Sequence, residues 1–172
     1  MAAPTFSTGD VPTATQVNTW FVNVLFARKT GDTSRSSTTT FTDDPHLTVE
    51  VEANAVYLVH CNLAYHSTSQ TAGDFKAQFT APASAAFQGS AHTYAAASAA
   101  ATDDVSAALT LTTTVNCGVV ATADPFNPCM ISGVLVTSGT SGSFTVQWAQ
   151  SASSGTATVL KTNSFLALYR LS

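Results

Sequence analysis

Two consecutive segments of this chain alternate apolar and polar residues with a period of two, and that alternation constrains the fold more than any other feature. Leu47, Val49 and Val51 interleave with Thr48, Glu50 and Glu52. Beyond Ala53-Asn54, the residues Tyr57, Val59, Cys61, Leu63 and Tyr65 interleave with Leu58, His60, Asn62 and Ala64. A period of two sends alternate side chains to opposite faces of a pleated strand. The pattern predicts two strands joined as a hairpin at Ala53-Asn54. Phe75, Ala77 and Phe79 set against Asp74, Lys76 and Gln78 predict a further strand, stopped by Pro82. Segments from Val105 to Val115, Met130 to Val136, Phe144 to Trp148 and Phe165 to Leu171 continue the series. Asp103-Asp104, Asp124-Pro125 with Asn127-Pro128, Ser138-Gly139 with Ser141-Gly142, and Ser153-Ser154-Gly155 punctuate it as turns.

About eight to ten short strands without interleaved long helices define an all-β antiparallel sandwich or jelly roll, and exclude a parallel α/β fold. The Ala-rich stretch 90–104 has high helix propensity but no stripe of large apolar residues. It reads as a long loop or weak edge segment, with a short helix as the alternative. No repeat of fixed period supports a propeller or solenoid.

Residues 1–30 differ from the rest. Val17, Trp20, Phe21, Val24 and Leu25 recur at helical spacing after Pro12 and Thr13, residues suited to a first helical turn. The expectation is a short N-terminal arm or helix followed by a strand through Leu25 to Lys29. A strand throughout 19–28 is the rival, because Trp, Phe and Val also favour strands. The chain then divides into an arm with a first strand, 1–30, and a sandwich body, 31–172.

Composition narrows the function. The 172 residues are 45% apolar but only 9% charged, against roughly 25% charged in an ordinary soluble domain. Hydroxyls and amides, or another subunit, must therefore cover much of the surface. The six basic residues are scattered and the net charge is −4, so nucleic acid is not an expected partner. A membrane is not expected either, because the N-terminus has no signal-peptide pattern and no apolar run reaches roughly 18 residues.

Chemistry-bearing residues form no convincing constellation. Cys61, Cys117 and Cys129 lack CxxC spacing and read as reduced, buried thiols, although a bridge from Cys117 to Cys129 is open if their strands adjoin. His46, in a turn after Asp43-Asp44-Pro45, His60, His66 and His92 form no HExxH or HxH pair, and His60 reads as a polar strand residue. Asp43-Asp44 and Asp103-Asp104 read as turn formers rather than as acid–base pairs or calcium ligands. Nucleophile elbows, phosphate loops and dinucleotide fingerprints are absent. No catalytic residue, metal or cofactor is expected, and the chain reads as a non-enzyme. Trp148 alternates with Phe144 and Val146 and so faces a core or a subunit interface, whereas Trp20 lies on the arm as a docking anchor.

The opening VPTATQVNTWFVNVLFARKT (11–30) resembles the start of many virion proteins of tailed phages, especially those infecting actinobacteria. The stretches 38–66, 73–87 and 142–171 resemble the body of such proteins. The last two strands, FTVQWAQ and SFLALYRL, are also similar to the end of trimeric jelly rolls of the tumour-necrosis-factor and C1q type. Those folds turn the aromatic and aliphatic residues of their terminal strands toward a three-fold axis.

The resemblance implies a trimeric virion structural protein, made in the host cytoplasm and resident in the phage particle. On this reading it is a capsid decoration protein held to the major capsid protein through Val17, Trp20 and Phe21. Trp148, Phe165, Leu166, Leu168 and Tyr169 are the expected intersubunit residues, since both faces of the last strand are apolar. A minor tail or baseplate protein is the alternative. A carbohydrate-binding host-recognition module is another, with Tyr94 and Phe87 as its candidate platform.

Overall fold

The computed structural model describes residues 7–11, 13, 24–68, 74–96, 104–120 and 126–172. Within them the chain is an antiparallel β-sandwich of twelve strands and no helix. The strands are β1 (Val24–Arg28), β2 (Thr33–Arg35), β3 (Thr42–Val51), β4 (Val56–Ser67), β5 (Phe75–Thr80), β6 (Ala86–Tyr94), β7 (Asp104–Leu109), β8 (Val115–Cys117), β9 (Asn127–Val136), β10 (Gly142–Ala149), β11 (Thr158–Leu160) and β12 (Phe165–Arg170).

The larger, eight-stranded sheet runs β1-β12-β4-β9-β6-β7, with β11 pairing β4 beyond β12 and carrying β2 at its edge. The smaller, four-stranded sheet runs β3-β10-β5-β8. The sandwich expected from the period-two pattern is therefore present. Long β4 organises it, because it lies centrally and pairs with β9 on one side and with β12 and then β11 on the other.

Alternation fills the space between the sheets. Leu47, Val49 and Val51 of β3 face Tyr57, Val59, Cys61, Leu63 and Tyr65 of β4, and all are buried. An aromatic ladder crosses the interior: Tyr65 stacks on Phe75 at 4.6 Å, Phe75 meets Trp148 at 5.6 Å, and Phe79 stacks on Phe144 at 4.8 Å. Non-polar burial on this scale is the main favourable term in folding.

Several sequence expectations need correction. Ala53-Asn54 does not close a hairpin, because β3 and β4 belong to different sheets and the connection crosses the sandwich. Alternation fixes faces, not partners. Val105 to Val115 is two strands, β7 and β8, separated by the turn in which the Thr113 amide bonds the Thr110 carbonyl. His92 and Tyr94 belong to β6, paired to Ser106 and Asp104, while residues 97–103 lie outside the described segments. Asp43-Asp44-Pro45 is a bulge inside β3 rather than a turn between strands. There β10 advances only from Thr145 to Gln147 while β3 runs from Thr48 to Asp43. The expected strand after the arm is β1, hydrogen-bonded along its length to β12 of the sandwich.

Candidate functional site

The two outer faces of the sandwich differ in chemistry. The smaller sheet turns Thr48, Glu50, Lys76, Gln78, Ser143 and Gln147 outward, and most of these bond one another or a polar neighbour. Ser143 donates to Glu50 at 2.5 Å, Gln147 to Asp43 at 2.7 Å, and Gln78 to Gln147 at 2.8 Å. That face is built to meet water.

The larger sheet turns an apolar field outward. Register places Val24 beside Tyr169, Tyr169 beside Leu58, and Leu58 beside Val134. The next row runs Phe26, Ala167, His60, Ser132 and Ser90, and the one beyond it Arg28, Phe165, Asn62, Met130 and His92. Phe26 is 57% exposed and Met130 54%, with Val24, Val134, Val136 and Tyr169 also exposed. From β1 to β6, Arg28 is the one charged side chain on this face among the described residues. It stands on the edge strand, bonded to Asn163 Oδ1.

Ring contacts knit the field together. Phe26 and Phe165 lie 5.9 Å apart, and His60 meets Tyr169 edge-on at 6.0 Å. Exposed Val24, Phe26, Met130, Val134 and Tyr169 share this face with the uncharged polar residues His60, Ser132, Ser90 and Asn62, and exposed apolar side chains gathered over several strands are typical of interaction surfaces. Depletion of charge at its centre is the compositional mark of an interface core.

The structure divides the expected intersubunit residues. Phe165 and Tyr169 stand on the outer face. Trp148, Leu166 and Leu168 have no exposed surface and belong to the chain's own core, so a neighbouring subunit cannot touch them. In β12 the inward phase is spent on the sandwich and Ala167 is buried too, so only Phe165 and Tyr169 keep exposed surface. Val17, Trp20 and Phe21 lie outside the described residues.

The exposed residues of β1 and β9, namely Val24, Phe26, Met130, Val134 and Val136, are absent from the expected interface. Their signal is legible in β9: Met130, Val134 and Val136 occupy one phase while Ile131 and Leu135 occupy the other. A strand apolar in both phases is covered on both sides.

The other candidates disperse. Phe87 is buried between Phe79 and Phe144, so it forms no exposed sugar platform. Tyr94 is half-buried on the outer face. His92 bonds Ser106, His60 stands in the apolar field, and His66 has a buried Nδ1 with no partner. His46 alone joins a tight polar cluster, with Asp44 and Lys29. Among the described residues no three His, Cys, Asp or Glu side chains converge as a metal site.

The three cysteines are free thiols, all buried. Burial pushes the Cys61 and Cys117 thiols well above the ordinary thiol value, and contact with Cys129 raises Cys117 further. They are poor nucleophiles in the folded chain.

No family model matches the chain, and no curated protein matches it by sequence. Among solved structures it is similar to Eiger TNF from S. frugiperda, with 14% identity, a TM-score of 0.41, and coverage of 88% of this chain and 93% of that one. It is also similar to the tripod from the baseplate of bacteriophage Tuc2009, with 13% identity, a TM-score of 0.30, and coverage of 98% and 74%. A third similarity is to the infectious bursal disease virus VP2 subviral particle, with 12% identity, a TM-score of 0.23, and coverage of 99% and 44%.

Proposed function

We propose that this protein is a non-enzymatic structural component of a phage virion, a homotrimer assembled through the outer face of its larger sheet. The observation that carries the reading is the contrast between the two outer faces, one polar and internally bonded, the other apolar and almost free of charge. Water can cover the first without cost, whereas the second gains by meeting another copy of itself. The virion assignment rests on the resemblance of segments 11–30, 38–66, 73–87 and 142–171 to tailed-phage virion proteins.

In this reading the trimer decorates the capsid. The arm carrying Val17, Trp20 and Phe21 inserts into the shell, and three arms per trimer bind with an avidity that one arm lacks. The remainder of the surface, poor in charge, packs against neighbours with little repulsion.

Two measurements test the proposal in sequence. Native mass spectrometry of the purified chain is expected to give a trimer, and a monomer at micromolar concentration refutes the assembly. Quantitative mass spectrometry of virions is expected to give a copy number approaching that of the major capsid protein. A few copies per particle move the protein to the tail or baseplate, and absence from the particle refutes the virion role.

A further inference from the structure

Lys29 and Asp44 are the one ion pair sealed completely from solvent among the described residues, with both side chains fully buried. Lys29 directly follows β1, and its backbone is clamped to the turn before β12. Its amide donates to the Ser164 carbonyl at 2.8 Å, and its carbonyl accepts from the Asn163 amide at 3.0 Å. Asp44 is turned inward by the β3 bulge. The Lys29 Nζ lies 2.6 Å from Asp44 Oδ2, 2.5 Å from Thr33 Oγ1 and 3.4 Å from His46 Nδ1.

The carboxylate is held from its other sides. Oδ1 accepts the His46 backbone N–H at 3.0 Å, and Oδ2 accepts the Trp148 indole N–H at 3.2 Å. The His46 imidazole is 32% exposed and lies 3.9 Å from Asp44 Oδ1. One side chain thus touches the amine, borders the carboxylate and reaches solvent.

A charged pair in a dry interior is maintained against a large desolvation penalty. The same two groups without charge form an amide, which carries no such penalty. We propose that Lys29 and Asp44 condense to an intramolecular isopeptide bond, with His46 relaying protons.

The ion pair first transfers one proton from Nζ to the carboxylate, leaving a neutral amine beside a neutral acid. The Nζ lone pair attacks Asp44 Cγ, and the carbonyl π pair moves onto Oδ2, where the Trp148 indole N–H stabilises it. Nζ gives a proton to His46 Nδ1. His46 returns a proton to Oδ1, the carboxyl oxygen it borders, which departs as water with the C–O pair as the Oδ2 lone pair restores the carbonyl. Of the three ammonium protons, one remains on the amide and two leave in the water, so no oxidant or reductant is needed. The fold supplies the proximity that makes such a condensation fast. The bond would fasten the end of β1 in the larger sheet to β3 in the smaller one.

Intact mass measurement of the denatured full chain, after incubation in the folded state, tests this directly. The expected mass is one water below the sequence mass, with a branched peptide joining Lys29 to Asp44 after proteolysis. Wild-type protein that keeps its full sequence mass overturns the proposal, as does a water loss located elsewhere by peptide mapping. Lys29→Arg should retain the full mass, and Asp44→Asn should lose ammonia in place of water. If either variant fails to fold, the wild-type peptide map still decides. His46→Ala should slow the conversion at least tenfold while circular dichroism stays native. Unchanged kinetics would remove His46 from the relay.

Discussion

The guanidinium of Arg35 lies over the indole of Trp148, 4.0 Å from the ring centroid, and its Nη1 donates to the Trp148 carbonyl. Arg35 also donates to the carbonyls of Thr42 and Asp43 at 3.1 and 3.0 Å. One side chain thereby ties β2, at the edge of the larger sheet, to the paired ends of β3 and β10 in the smaller one. Trp148→Ala is expected to cost about 3–5 kcal/mol, the usual loss for a large buried ring. Arg35→Ala should cost about 1–2 kcal/mol, the range of a partly desolvated cation–π contact. Chemical denaturation of both variants checks the order and the size.

Val134→Glu and Met130→Glu place a charge in the centre of the apolar outer face. Both side chains point away from the core, so the sandwich should keep its stability within about 0.5 kcal/mol. The proposed trimer should dissociate, because an interface core tolerates an unpaired charge poorly. Sedimentation of the variants beside wild type is the check, and persistence of the oligomer would place the interface elsewhere.

Gly89 and Gly133 are register partners whose missing side chains make room for the Phe87 ring. A Cβ on Gly133 would stand 2.5 Å from the Gln88 carbonyl oxygen and 2.7 Å from that ring. Gly133→Ala should therefore destabilise the fold by about 1–3 kcal/mol, the range for overpacking. Phe87→Leu in the same chain should recover part of the loss, as a double-mutant cycle would measure.

Alkali should weaken the fold through its buried acids. Burial raises the Cys61 and Cys117 thiols and the Tyr65 hydroxyl. In the unfolded chain the thiols ionise near 9.0, whereas in the folded chain they stay protonated. As pH rises above that value the unfolded state alone loses protons, so stability falls; below it both states are neutral and the effect vanishes. Denaturation midpoints measured from about pH 7 to about pH 10 should decline at the upper end, and less steeply in Cys61→Ala.

Acid acts through Asp32. A hydrogen bond from Lys161 and another from the Thr162 amide hold its carboxyl below the ordinary 3.8. A depressed carboxyl stabilises the fold above that ordinary value, and the contribution is lost as pH falls through the lower folded one. The pair is exposed, so Asp32→Asn should produce only a small loss at neutral pH. The difference from wild type should disappear in strong acid, as paired thermal melts across pH would reveal.

The sandwich was legible because alternation is a local property. Tyr57, Val59, Cys61, Leu63 and Tyr65 declare their inward phase without reference to any other segment, and every one of them is buried. Pairing was not legible in the same way. Whether β4 follows β3 in one sheet or crosses to the other depends on which strands compete for its edges, and β12 and β9 take them from far along the chain. The exposed face of β12 was half-readable. Phe165 and Tyr169 follow from the two-sided apolarity of β12, but Leu166, Leu168 and Trp148 share that composition and are consumed by the core. The Lys29–Asp44 cluster left no trace in spacing, because a bulge and the turn before β12 bring those residues together.

The sequence by itself determined the all-β class, the alternating core of β3, β4 and β5, and a surface poor in charge. Each is set by neighbouring residues, whose periodicity and chemistry act within a single strand. Only the tertiary structure decided which sheet each strand joins, which of the two apolar phases of β9 and β12 faces inward, and that a lysine and an aspartate are shut together in the dry interior. Those outcomes depend on burial against distant segments, and burial is a property of the packed chain rather than of any stretch of it.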